Sequence, residues 1–318
     1  MLAASQAISV MQSDKKLENI RAIIARHKRW DILFLVAGVM SLMIAVLTFI
    51  ALFSHMLIDG LPRLSWDFFT SYPSRRPESA GILSAWVGTT LVMIVTALSA
   101  VPLGVGAGIY LEEYAPKNWL TEIIEINVTN LAGVPSIIYG LLALGLFVNL
   151  LSLGQSILAA GLALALLILP VVILATREAI RSIPITIREG SYALGATKWQ
   201  TVYDHILPYS AAGILTGVII GLARAIGETA PIITIGALTF IAFLPPSPVE
   251  EEFPFLSFDW LMAPFTVMPI QMFNWVSRPE EEFQFNAAAA GLVLVVMTLA
   301  MNGFAIYLRY RMRKNIKW

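Results

Sequence analysis

Two ionisable side chains stand inside an otherwise uncharged apolar run. Residues 211–244 carry only Arg224 and Glu228, within the octet Arg-Ala-Ile-Gly-Glu-Thr-Ala-Pro at 224–231. At ~1.5 Å per residue, Arg224 comes about 20 Å into the run, near the middle of a bilayer. A charge there costs about 2.5–3.5 kcal/mol or more, so ionisable groups at that depth are usually functional. The i, i+4 spacing predicts that the two share one helix face and pair. Gly227 would let another backbone approach, and Pro231 withholds a backbone donor, which frees a carbonyl nearby.

The chemistry of such a pair is anion handling. The planar fork of arginine matches a phosphate or carboxylate with two parallel hydrogen bonds. A glutamate beside it repels a bare anion but accepts a hydrogen bond from a protonated one. Phosphate keeps a proton at neutral pH and sulfate does not. The expectation is that Arg224 binds and Glu228 selects a protonated oxyanion. A pair that only fixes helix packing is the competing structural reading.

The elements that must hold this pair are membrane helices. Of 318 residues, 58% are hydrophobic and 13% charged, and mean hydropathy is +0.76, a polytopic membrane composition. The net charge of zero implies no attraction to nucleic acid. Without cysteine there are no disulfides or thiolate metal sites, and the three histidines are scattered. No GxxxxGK[ST] occurs, so ATP binding by a P-loop is not expected.

Charge-poor runs at 32–57, 79–111, 126–176, 211–244 and 283–308 predict six spans, the long third run holding two with a turn near 149–156. With both termini inside, the inner segments hold 16 Lys and Arg and the outer segments 4, as the positive-inside bias requires. Residues 1–29 read as a cytoplasmic N-terminal tail and 30–318 as the transmembrane domain. The glycines 104, 106 and 108 read as helix packing rather than a phosphate loop. In the stretch 130–140, Gly133, Pro135 and Gly140 allow a kink, tight packing being the simpler reading. Of the outer connections, 245–282 carries an aromatic segment, 265–276, expected as an interfacial anchor or partner surface.

Between the fourth and fifth spans lies one polar island, 177–210. It reads as two capped helices on the inner side. Pro184 suits a helix first turn, Gly195 a left-handed stop, and Thr197 with Gln200 a capping box. Trp199, Val202, Tyr203 and Ile206 form one apolar stripe, closed by Pro208. Arg177 and Arg181, where the fourth span ends, could ease an anion's exit or simply anchor the span to headgroups.

The island resembles the EAA loop of ABC importer permeases. Glu189, Gly195 and Leu207-Pro208 keep that pattern's spacing, while Gly190 and Ser191 replace its two alanines and His205 its usual isoleucine. The octet 224–231 is similar to that of phosphate-importer permeases, with Ala230-Pro231 as in the PstA-type subunit. The stretches SYPSRRPESAGI and FNWVSRPEEEF resemble PstA-type outer loops. The resemblance runs from about Trp30 to the end.

It implies an all-α, six-span type I ABC importer permease in the bacterial inner membrane. Glu189, Gly190, Ser191, Ala193, Gly195, Leu207 and Pro208 would couple to an ATPase. Arg224, Glu228, Thr229 and Arg177 would line the substrate path. The implied partners are a PstC-type second permease, a PstB-type ATPase dimer and an extracytoplasmic PstS-type phosphate-binding protein. ATP and Mg would be bound by the ATPase subunits, with no cofactor in this chain. Permeases for sulfate, molybdate or phosphonate are the alternative. A secondary anion transporter would leave the capped island unexplained, and a membrane enzyme would need a nucleophile or metal cluster that the sequence lacks.

Overall fold

In lipid, backbone N–H and C=O groups must be satisfied within the segment, so the apolar runs fold as helices. The computed structural model describes the backbone of residues 2–249 and 257–313, and the side chains of these except 2–26, 29, 312 and 313. Glu250–Glu252 of the long connection and Lys314 and Lys317 lie outside the described residues. Two compact units divide between Met56 and Leu57. The first is most of α1 (Leu2–Gly60), whose helix passes residue 29 without a break. Trp30 with Phe34 and Phe49 with Phe53 pair their rings one turn apart along it.

The second unit holds α2 (Trp66–Thr70), α3 (Leu83–Ile109), α4 (Trp119–Leu131), α5 (Ser136–Ala143), α6 (Ile157–Arg181), α7 (Ile185–Ala193), α8 (Lys198–Thr201), α9 (Leu207–Ile226), α10 (Ala230–Ile235), α11 (Met268–Val276) and α12 (Glu282–Arg313). Among the described residues, five helices are long and apolar enough to cross a membrane, and the bent pair Trp119–Leu131 and Ser136–Leu150 makes a sixth if it counts as one span. The most buried is α6, apolar on nearly every face, as a central helix must be. It runs alongside α3 in parallel, with Gly161 against Val95, Gly104 against Val172 and Gly108 against Thr176. It runs antiparallel to α9, with Gly213 against Ala179 and Gly217 against Ala175. Small residues let these backbones close up, the packing expected of Gly104 and Gly108; a Cβ at Gly106 would meet open space.

Three expectations about the spans are corrected. The third span begins at Trp119, not residue 126, because Glu122 and Glu125 sit on an amphipathic first half. Rather than packing straight, it bends by 108° between Leu131 and Ser136. Pro135 has no N–H and pushes Val134 out of the helical region, so the helix stops there. The fifth span is not one helix over 211–244. It is a helical element, Lys198–Ile226, then a break at 227–229, α10, and irregular chain to Ile241, whose carbonyl accepts from Ser84 Oγ at 3.0 Å. The aromatic segment of the long connection is not simply an interfacial anchor either. Met268 and Trp275 of α11 are buried beside Phe68 and Phe283, Ile270 is buried in the main core, and only Phe273 and Val276 are exposed.

Candidate functional site

Arg224 lies in the last turn of α9 and Glu228 just beyond its end. Gly227 caps the helix, with its N–H on the Arg224 carbonyl at 3.3 Å, and the Glu228 N–H bonds the Ala225 carbonyl at 3.2 Å. The expected pairing holds, with Arg224 Nε donating to Glu228 Oε1 at 3.2 Å. The expected continuous helix does not, so the pair spans a helix terminus instead of one face. Gly227 also brings no second backbone close, since a Cβ there would touch only the Arg224 carbonyl. Arg224 is 41% exposed and Glu228 19%. With a single carboxylate among the described residues at ion-pair distance, the guanidinium has donors left for a ligand. Glu228 also borders a recess of about 10 Å³ with Thr89, Met93 and Ile232, room for about one water.

The chain after Glu228 is positioned by α5. Thr229 precedes α10 and accepts the Ile233 N–H through its carbonyl at 3.0 Å. Gly140 of α5 packs so tightly on α10 that a Cβ would collide with Thr234 Oγ1 and lie 2.6 Å from Pro231 Cα. Only glycine permits that approach. Across the bend, Tyr139 Oη donates to the Leu131 carbonyl at 2.7 Å, and Arg224 lies within electrostatic reach of this tyrosine. The third span is therefore part of the site's frame, through residues whose types announce nothing in the sequence.

Arg177 does not join this site. The α6–α9 contacts place it level with about residue 215, roughly 14 Å along α9 from Arg224 at ~1.5 Å per residue. It is 4% exposed, with Nη2 at 2.7 Å from Glu125 Oε2, a charge contact without hydrogen-bond alignment, and Nε at 3.4 Å from Glu112 Oε2. Arg181 Nε lies 2.9 Å from both Glu112 oxygens. Arg188 donates through Nη2 and Nε to Glu113 Oε1 at 2.8 and 3.0 Å. Sequence reasoning missed these partners. The available signal was four glutamates between 112 and 125 facing three arginines between 177 and 188.

The island folds largely as its caps predict. Gly195 takes φ +84, and the Ala196 N–H reaches the Ser191 carbonyl at 3.2 Å while the Gly195 N–H reaches Tyr192 at 2.9 Å, a Schellman stop. The Thr197–Gln200 capping box is present. Ser191, where the loop pattern has alanine, pins α7 to α8 through Thr201 Oγ1 at 2.9 Å. Glu189, Gly190 and Ala193 are exposed. Two expectations fail. The apolar stripe splits: Val202 and Ile206 are buried, whereas Trp199 and Tyr203 stack on each other in solvent. Pro208 does not close the island but sits in the first turn of α9. Wider i→i+5 winding over Val202–Ile206 carries the chain past its missing donor, so α8 runs on into α9.

The fold is similar to a chain of the inward-facing MetNI methionine ABC transporter, with TM-score 0.54 at 17% identity, covering 71% of this chain and 93% of that one. Residues 100–314 match the family described as binding-protein-dependent transport system inner membrane component. The probable ABC transporter permease protein YqgI of Bacillus subtilis is 32% identical over 289 residues, 89% of this chain and 96% of its own. The phosphate transport system permease protein PstA of Mycobacterium leprae is 32% identical over 85% of both chains. PstA of Yersinia pestis is 30% identical over 92% of this chain and 94% of its own. The chain belongs to the family of binding-protein-dependent transport system inner membrane components. It is a multi-pass membrane subunit of a transporter.

Proposed function

We propose that this chain is the phosphate-translocating permease of an ATP-driven importer. The carrying observation is Arg224, a half-exposed guanidinium at a helix break inside a span, held from one side only by Glu228. Its open side fits a tetrahedral oxyanion, and Glu228 accepts the proton that phosphate retains. Thr229 follows Glu228 directly in the chain. The names of the PstA relatives support phosphate as the substrate.

In this reading a PstC-type permease covers the open face of Arg224, and a PstS-type binding protein delivers phosphate from outside. A PstB-type ATPase dimer binds ATP and Mg and docks on the island from the cytoplasm. The excess of 16 inner over 4 outer Lys and Arg supports that orientation, with both termini inside. The docking reading draws on Leu194, 90% exposed, and Trp199, 64% exposed, apolar side chains on a polar element. Glu189, Gly190, Ser191, Ala193, Gly195, Leu207 and Pro208 shape that surface.

The test is ATPase activity of the complex reconstituted with its binding protein, phosphate against sulfate. Phosphate should stimulate hydrolysis and sulfate should not. Arg224→Gln should cut uptake on the order of 100-fold with the complex intact, as loss of one partner of a charged hydrogen bond implies. Glu228→Gln should relax the preference for phosphate. Equal stimulation by sulfate would assign a different oxyanion, and uptake without ATP would sink the ATP-driven reading.

A further inference from the structure

We propose that Glu113 and Glu125 are positioning residues that carry motion of the island to the bent third span, and through it to Glu228 and α10. The proposal rests on the reading that α7 receives the ATPase's movement. The direct route, α8 into α9, ends at Ile226, two residues short of Glu228. Glu228 and α10 lie beyond the break, so a push along α9 does not by itself place them.

A second route is built from ion pairs and close packing. Arg188 of α7 spends its donors on Glu113 and on the Ile180 and Ile183 carbonyls, at 3.1 and 3.0 Å. Glu113 is 7% exposed. It sits at the end of the second span, in the segment that leads to α4, and Lys198 of α8 lies over the neighbouring Tyr114 ring at 5.4 Å. Arg177, near the end of α6, holds Glu125 of α4. From α4 the bend passes to α5, closed by the Tyr139–Leu131 hydrogen bond, and α5 meets α10 at Gly140. Arginines that merely anchor a span face headgroups and water, whereas Arg177 and Arg188 are turned inward onto carboxylates of other elements. Paired charges with little solvent around them hold their geometry, so displacement of α7 displaces their partners.

The test measures uptake and phosphate-stimulated ATPase together in proteoliposomes holding the full complex and binding protein. Glu113→Gln and Arg188→Gln should each lower uptake about tenfold while ATPase stays within about twofold, and Glu113→Asp, which keeps the carboxylate for Arg188, should retain most of the uptake. Glu125→Gln, at a more open position, should uncouple in the same sense and serves if Glu113→Gln does not assemble. Unchanged ratios of uptake to ATPase in all of these overturn the proposal, as does a Glu113→Asp complex that assembles but loses as much uptake as Glu113→Gln. A wild-type complex without phosphate-stimulated ATPase overturns the underlying function and this link with it.

Discussion

Arg177 and Arg224 are both arginines in apolar helices, and the fold treats them oppositely. Arg177 is 4% exposed and sits between Glu112 and Glu125, which arrive from elsewhere in the chain. Arg224 is 41% exposed and, among the described residues, meets at ion-pair distance only Glu228, four residues on. A guanidinium closed in by two carboxylates has no charge left for a ligand. One with a single lateral partner at a helix end keeps an open side. Depth in a span is thus a weaker sign of an anion site than the number and origin of the partners already present.

The contrast can be broken by the paired variants Arg224→Gln and Arg177→Gln. The first should abolish uptake per complex with little change in thermal stability. The second removes the nearest partner of Glu125 and should cost about 1–3 kcal/mol, read as a lower Tm, with uptake per surviving complex reduced as in Glu125→Gln while phosphate still stimulates the ATPase. Normal Tm with lost phosphate-stimulated ATPase in Arg177→Gln would return Arg177 to the substrate path and erase the distinction. A comparable effect sharpens the frame around Arg224. Gly140→Val should force α5 off α10 at about 1–3 kcal/mol and depress uptake more than folding, measured as transport per inserted chain. The smallest concerns the island alone. Thr197→Ala should cost about 1 kcal/mol, seen as faster amide exchange over 198–201 with uptake intact.

The sequence carried the capped island well because caps are local. Gly195, Thr197 and Gln200 act within a few residues of themselves, and no distant partner was needed to read them. The Arg224–Glu228 pairing was legible for the same reason. The helix break between them was not, because residues 211–244 stay apolar across it and hydropathy cannot separate a helix from a short helix followed by irregular chain. The outward turn of Trp199 was hidden because the pattern gives an apolar face without saying what covers it. The Glu113–Arg188 pair joins residues 75 apart, and each looks like an ordinary charge beside a membrane end. Ser191, a departure from the loop pattern, became intelligible only once Thr201 stood opposite it.

The bend in the third span has a mechanical consequence. Its arms, Trp119–Leu131 and Ser136–Leu150, hold 13 and 15 residues, so they are about 20 and 22 Å long at ~1.5 Å per residue. The Leu131 carbonyl at the corner accepts from both Val134 N–H and Tyr139 Oη, at 3.1 and 2.7 Å, which stiffens the elbow. Two stiff arms of nearly equal length at a fixed angle make a bell crank. A stroke at the tip of one arm emerges at the tip of the other with nearly the same amplitude, turned through the angle between the arms, the supplement of the 108° bend.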